Sequence, residues 1–471
     1  MAIQWSGLSP ALLVQLDRDS GQPLRSQLEA ALRDAIRNGR LRGGERLPSS
    51  RELARELNVS RGLIQECYSQ LLSEGYLASQ IGSATRVAAD AYQAPPEQAR
   101  RPQPLPQLIA DFHSGVPDLA SFPRADWVWA TREACANLAA PELGYGDPRG
   151  NSDLRAVLAG YLNRVRAAAA DPAHLIISTG FAQGIVLVLR ALAQAGVRSA
   201  AFEDPGYGAA EVSETVAAAG TTGLRTIHVP VDERGIDVDA LSDSGAQAVI
   251  VTPAHQSPTG VVMAAQRRQA LVDWARRNDA YVIEDDYDSE FRYDREPVGV
   301  LQGLAPDRVV IIGTASKALA PAVRLGWIVA PPQLADAIAV EKRMSDRGTS
   351  TLDQLALAAL LESGRYDRHL RRMRGVYGAR RDALTGALGR HAPSIRLTGL
   401  AAGFHAVAHL PAAADEQATV ATARERGVRL DGMSSFRSTR ATEPPQLVLG
   451  FGLVGERAIE PAIAAIADLL S

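Results

Sequence analysis

Lysine is almost absent from this chain of 471 residues: of its 50 lysine and arginine residues only Lys317 and Lys342 are lysine, leaving 48 arginines. Cysteine is nearly missing too. Cys67 and Cys135 lie far apart, outside any metal-ligand spacing and within helical patterns, where a thiol packs as a small hydrophobe. That excludes a disulfide framework and a thiolate metal site, and no metal is expected. No apolar run approaches the roughly 20 residues a membrane-spanning helix needs. The opening "MAIQWSGLSPALLVQLDRD" lacks the basic stretch and apolar core of a secretory leader. No membrane partner is therefore expected, and the expected compartment is the reducing cytoplasm. Nor is there an excess of one charge, since the formal net charge is −3. A protein that coats nucleic acid along its whole length is excluded, but a local patch is not. Between Arg33 and Arg61 eight arginines face four acids, a local excess of +4.

What is present is an ordinary globular composition, 46% hydrophobic and 22% charged, with length for two to four domains or one large and one small. Composition breaks clearly at "DAYQAPPEQARRPQPLPQLIA", residues 90–110, with prolines at 95, 96, 102, 104 and 106. Such a stretch is expected to run as extended polyproline II, and at ~3.1 Å per residue it spans roughly 60 Å. That reach allows the two flanking domains to serve different subunits of a dimer. The expected layout is a domain over 1–89, a linker over 90–110 and a body over 111–471, with a smaller α+β lobe from about 350.

Before the linker, Leu24, Leu28, Ala31, Leu32, Ala35 and Ile36 repeat at helical spacing. Ser49 and Glu52 have the spacing of a capping box behind Pro48, and Ser60 can cap a third helix that turns Leu63, Ile64, Cys67, Tyr68, Leu71 and Leu72 inward. "EGYLASQIGSATRVAA" reads as a two-stranded ribbon turning at Gly82. The series helix, helix, turn, helix, ribbon is the winged helix-turn-helix plan. Ser60 and Arg61 would stand at the N-terminus of a helix suited to a major groove, while Arg46, Ser49 and Arg51 reach the DNA backbone. Solvated charges on a small helical domain are the plain alternative.

After the linker, short apolar runs at 174–178, 200–204, 248–253, 281–286, 308–314 and 325–330 alternate with helical stretches such as 182–195 and 266–278. This is the βαβ rhythm of a mostly parallel sheet, whose ligands gather beyond the strand C-termini. Lys317 lies in "GTASKALAPAVRLGW". Schiff-base chemistry needs a primary amine that can lose its proton, which arginine does not supply. A chance lysine is the alternative, and Lys342, in "AVEKRM", is read as a surface residue of a helix. "YVIEDDYDSEFRY" would place Asp285 and Tyr287 at the sheet edge, where a carboxylate can hold a pyridine nitrogen protonated and a phenol can meet a ring hydroxyl. "STGFAQG" joins a strand to a helix and offers an anion site near Thr179, Gly180 and Gln183, which Arg324 can clamp.

Residues 41–76, "LRGGERLPSSRELARELNVSRGLIQECYSQLLSEGY", resemble the GntR-family DNA-binding domain, and "GSATRV" resembles its wing with Ala84 in place of the second glycine. "YGDPRGNSDLRAVLAGYL", "EDPGYGAA", "HQSPTG", "EDDYDSEF" and "SKALAPAVRLGW" together resemble the fold-type I, aspartate-aminotransferase-like pyridoxal 5′-phosphate (PLP) proteins. That resemblance implies a Schiff base at Lys317, Asp285 on the pyridine nitrogen, Tyr287 on the ring hydroxyl and Tyr207 stacked on the ring. Phosphate would be held by Thr314, Ser316, Arg324 and the backbone at Gly180, Phe181 and Ala182, joined by Tyr145 of a second subunit. Ser257 replaces the family's usual asparagine, so either His255 or Gln256 is expected to reach the ring hydroxyl. The C-terminal strand "LVLGFG" lacks the usual carboxylate-binding arginine, for which Arg437 or Arg440 can substitute.

The combined order resembles the MocR/GabR subfamily of bacterial regulators. It implies a domain-swapped homodimer that binds operator DNA and senses PLP or an amino compound. Ala209, two residues after Tyr207, stands where a carboxylate-binding arginine could sit, which favours PLP as the signal. A working aminotransferase with an accessory reader, and a scaffold that has lost the cofactor, are the competing expectations.

Overall fold

Three short helices make the first unit because their apolar residues fall on one side at helical spacing. A computed structural model of the chain describes residues 16–78, 84–88, 108–220, 223–293 and 298–470. Helix α1 (Leu24–Arg37) buries Leu28, Leu32, Ala35 and Ile36. Helix α2 (Ser50–Glu56) starts at the expected capping box: the Ser49 hydroxyl accepts from Glu52 N, and the Glu52 carboxylate accepts from Ser49 N. Helix α3 (Arg61–Ser73), capped by Ser60, buries Ile64, Cys67, Tyr68 and Leu71. Strands β1 (Leu77–Ala78) and β2 (Arg86–Val87) pair antiparallel, with buried Leu77 opposite buried Val87. Gly82 and residues 90–107 of the expected 90–110 linker lie outside the described residues. A core this small is marginal, so truncating one fully buried leucine such as Leu28, at a cost of about 2–5 kcal/mol, threatens the whole unit.

The chain divides into two compact units, Met1–Leu105 and Pro106–Ser471. The second is built on eight strands: β4 (Leu175–Ser178), β5 (Ser199–Asp204), β6 (Arg225–Asp232), β7 (Gly235–Ile236), β8 (Ala248–Val251), β9 (Tyr281–Asp286), β10 (Val309–Thr314) and β11 (Gly326–Val329). A ninth short strand, β3 (Ala110–Asp111), precedes them outside this sheet. The sheet order is β4-β11-β10-β9-β8-β5-β6-β7. All its members run parallel except β11 and β7. Six of the eight fall where the apolar runs predict strands. The missed β6 has only one fully buried residue, Val229, so it carries too few apolar side chains to announce itself.

Alternation along each strand assigns its side chains to two faces. Ala200, Phe202, Ile250 and Ile283 pack with helices Phe181–Gln194 and Pro332–Asp346. Their neighbours Ala201, Val249, Val251 and Val282 pack with helix Ala265–Arg277. Burial on both faces explains the continuous apolar runs. A smaller antiparallel sheet, β12 (Arg396–Thr398), β13 (His405–His409), β16 (Gln446–Gly450) and β15 (Asp431–Gly432), forms a second lobe, while β14 (Val428–Arg429) pairs in parallel with β3. Among the described residues no helix is long and apolar enough to cross a membrane.

Candidate functional site

The parallel strands deliver their C-terminal ends, and the loops behind them, to one edge of the large sheet. Ile312 and Gly313 of β10 pair with Asp285 and Asp286 of β9, so Asp285 sits one strand away from the loop that carries Ser316 and Lys317. Asp285 is buried; one of its carboxylate oxygens, Oδ2, accepts the Tyr207 hydroxyl. The other, Oδ1, is buried with no hydrogen-bond partner. Burial pushes this carboxyl up to about 8, against the hydrogen bond from Tyr207 and the charge of Lys317. Burial lowers the Lys317 ammonium from its ordinary value, opposed by Asp285, Asp288 and Glu211. A lysine in this setting gives up a proton more readily than one in water, as an amine nucleophile requires.

Beside this pair lies an anion cradle. Helix Phe181–Gln194 begins at Gly180 without a capping side chain, so the N–H groups of Phe181 and Ala182 stay available at its positive end. Gly180 has φ +112°, and a Cβ there would lie 3.6 Å from Arg324 Nη1 and 3.9 Å from Ser316 Oγ and Thr314 Oγ1. The absent side chain is thus the opening of a ring of donors. The Arg324 guanidinium is exposed and takes no partner among the described residues. Gln183 braces the cradle: it accepts from Thr179 N at 2.9 Å and from Lys342 Nζ at 2.9 Å, and donates to Asp346 at 2.7 Å.

Lys342 corrects the surface reading. It is fully buried, and its ammonium donates to Gln183, to Asp346 at 2.6 Å and to Thr349 at 2.9 Å. Burial of a charge is tolerated where every proton finds an acceptor.

His255 and Gln256 are both held within the protein. The His255 ring is buried with Nδ1 2.8 Å from Asp288 Oδ2, and its backbone carbonyl accepts the Tyr287 hydroxyl at 2.9 Å. Gln256 spends its amide on Glu203, Pro205, Ser257 and Thr259. The Tyr287 hydroxyl also lies 3.2 Å from His255 Nδ1, and Ser257 is a further hydrogen-bonding side chain beside it. Besides its bond to Asp285, Tyr207 stacks its ring on Phe181 at 5.6 Å and 16°. His255, Asp288 and His405 place ligand-type atoms within 4.8 Å of one another. The Gly403 backbone packs against them: a Cβ there would lie 2.3 Å from Asp288 Oδ2 and 2.4 Å from His255 Nδ1. No spacing in the sequence announced this cluster, because its members come from three separate loops and strands.

Arg437 is committed to its own loop, donating to the Ala441 and Pro444 carbonyls at 2.7 and 2.8 Å and to Gln446 at 2.8 Å. Arg440 is exposed, with φ +55°. Tyr145 is 84% exposed, beside the equally prominent Leu143. In the first unit, Arg46, Arg51 and Arg61 are exposed and make no hydrogen bond or ion pair among the described residues. Ser49 and Ser60 spend an oxygen lone pair on capping and keep their protons to donate.

Residues 24–87 match the family described as bacterial regulatory proteins, gntR family, and residues 109–446 match aminotransferase class I and II. The HTH-type pyridoxine biosynthesis transcriptional regulator PdxR of Corynebacterium glutamicum is 34% identical over 98% of this chain and 99% of its own length. The probable rhizopine catabolism regulatory protein MocR of Rhizobium meliloti is 32% identical over 96% and 95%. Among solved structures, the multiple substrate aminotransferase of Thermococcus profundus has a TM-score of 0.69 and 26% identity, covering 78% of this chain and 91% of that one. The chain therefore belongs to the MocR-type transcriptional regulators, in which a GntR-family winged helix-turn-helix precedes a domain of the class I and II aminotransferase fold.

Proposed function

We propose that this regulator binds PLP at the sheet edge and that the cofactor is its signal. PLP supplies an aldehyde that condenses with a primary amine and a ring that draws electrons when its nitrogen is protonated. The observation that carries the reading is the unpartnered, buried Asp285 Oδ1 beside Lys317, matched across the site by the unpaired Arg324 in its donor ring. Asp285 would take the pyridine nitrogen and Lys317 the aldehyde. Arg324, Ser316, Thr314 and the backbone N–H groups of Gly180, Phe181 and Ala182 would take the phosphate. Tyr287 and Ser257 would face the ring hydroxyl, and Tyr207 would hold Asp285 in place. Tyr145, too exposed to serve its own subunit's interior, would reach the phosphate of a second copy in a domain-swapped homodimer. Arg46, Ser49, Arg51, Ser60, Arg61 and Gly82 would contact operator DNA, in the cytoplasm.

PLP is favoured over an amino acid as the signal because the guanidinium nearest the carboxylate role, Arg437, is committed to carbonyls, and Ala209 cannot replace it. The same point disfavours sustained transamination. The name of the Corynebacterium relative points the same way, to control of cofactor supply.

The test is a titration of the DNA upstream of the gene with purified protein at one salt concentration, with and without PLP. A ligand shifts DNA affinity only by its differential affinity for the two protein conformations. A shifted affinity or footprint supports the reading, and equal binding in both arms overturns PLP as the signal. Lys317→Ala is expected to abolish the absorbance of covalently held PLP while the protein stays folded; an unchanged spectrum removes Lys317 from the chemistry.

A further inference from the structure

Lys317 Nζ donates to a single acceptor among the described residues, the backbone carbonyl of Gly115. Gly115 belongs to the segment that follows the linker directly. This strap, residues 109–116, is held along its length. Ile109 N donates to Gly427 O at 2.8 Å, Phe112 N to Arg429 O at 2.9 Å, and Gly450 N to Phe112 O at 2.8 Å. The Asp431 carboxylate then grips the next turn: it lies 3.0 Å from His113 Nδ1 and accepts from Ser114 N at 2.8 Å and Ser114 Oγ at 3.1 Å. The strap lies hard against the end of β16, since a Cβ on Gly450 would sit 2.4 Å from His113 O and one on Gly452 2.1 Å from Val116 O. Gly115 itself has φ +77°, the left-handed turn that aims its carbonyl at the lysine, and a Cβ there would lie 3.9 Å from Nζ.

As an ammonium, Nζ holds three protons. In condensation Nζ first gives up one proton; the freed lone pair then adds to the aldehyde carbon, the carbonyl π pair moves to oxygen, and that oxygen takes up two of the nitrogen's original three protons and leaves as water. A carbon–nitrogen double bond remains, and the nitrogen keeps at most one proton. At least two of the three protons that can face the Gly115 carbonyl are thereby lost and the nitrogen is tied to the aldehyde carbon, and a half-buried carbonyl that loses its donor weakens the segment that holds it.

We propose that the Lys317–Gly115 hydrogen bond is a latch on strap 109–116, closed when Lys317 is free and released when Lys317 condenses with an aldehyde. The proposal rests on the PLP reading above. It gives that reading a route from the cofactor to the segment that continues into the linker.

The test is hydrogen exchange of the strap amides in the full-length protein under three conditions: no ligand, PLP, and pyridoxine 5′-phosphate. The last has the same ring and phosphate but an alcohol in place of the aldehyde. Borohydride reduction followed by intact mass reports the Lys317 adduct independently. With the adduct formed, strap exchange is expected to speed by on the order of tenfold, the loss of one charge-assisted hydrogen bond, while the alcohol leaves it unchanged. An adduct with unchanged exchange overturns the latch and leaves the cofactor reading intact. Equal acceleration by the alcohol also overturns it, because cradle filling would then be the cause. Absence of any adduct overturns both readings. Lys317→Arg keeps N–H donors but cannot condense, so its strap should stay slow with PLP; acceleration there likewise overturns the latch.

Discussion

Two sets of arginines divide this molecule. In the body, most buried guanidinium groups are spoken for, although Arg268 Nη1 has no partner among the described residues. Arg166 grips Asp286 through two bonds of 2.8 and 3.0 Å and the Val298 carbonyl at 2.7 Å. Arg380 binds Asp118 and the Phe451 and Gly452 carbonyls, and Arg437 its own loop. In the first unit, Arg46, Arg51 and Arg61 stand exposed and unpaired at the start of α2 and α3, while Arg25 and Arg33 on α1 pair with Glu29, Glu66 and Glu74. Arg324, also in the body, is exposed and unpaired among the described residues, and it stands in a ring of donors. A paired arginine holds structure; an unpaired one beside other donors awaits an anion. In a chain with so many arginines, pairing marks the sites better than charge does.

The largest effect expected from breaking this comparison is at Arg166. Arg166→Met leaves Asp286 ionised and unpaired in the interior, a class of change that costs about 3–5 kcal/mol. Thermal unfolding of the protein without ligand would show a drop of many degrees. A near-normal melting temperature would mean that the interior does not depend on the Arg166–Asp286 pair.

Arg324→Ala should do the reverse. The melting temperature without PLP is expected to stay near wild type, because no protein group loses a partner. PLP affinity should fall by about ten- to a hundredfold, the scale of one charge-assisted phosphate contact. Spectroscopic titration measures it, and unchanged affinity would place the phosphate elsewhere. Arg61→Ala is expected to weaken DNA binding by about tenfold at fixed salt with stability unchanged; equal affinity removes Arg61 from the interface.

Much of this was legible. The first unit's helices, caps and ribbon follow from apolar spacing and from Ser49, Glu52 and Ser60, which are local signals. So are the apolar strands and the position of Lys317 at a strand end. What escaped depends on long-range closure. Lys342 looked like a surface residue because its partners Gln183 and Thr349 lie on other elements. Gly115 gave no sign of facing Lys317, since 202 residues separate them. The His255–Asp288 bond likewise joins two loops that only the sheet brings together. The antiparallel course of β11 was hidden because an apolar run carries no direction.

The smallest effect sharpens the comparison most. Arg33 carries the same formal charge as Arg61 and lies within the same arginine-rich stretch, so a reading from charge alone predicts similar losses. Arg33 Nε and Nη2 meet the Glu74 carboxylate at 2.7 and 2.8 Å, and hydrogen bonding to that carboxylate raises its pKa further above the ordinary value. This pair ties α1 to the end of α3 on a partly exposed surface, where ion pairs contribute little and are screened by salt. Arg33→Ala should therefore lower the melting temperature slightly, by less at high salt, and leave DNA affinity within about twofold. It should also leave the slope of affinity against salt unchanged, because that slope counts phosphates neutralised and Arg33 neutralises Glu74 instead. A loss matching that of Arg61→Ala, with a shallower salt slope, would mean that Arg33 leaves Glu74 for the DNA, and pairing in the free protein would then not predict which arginines bind.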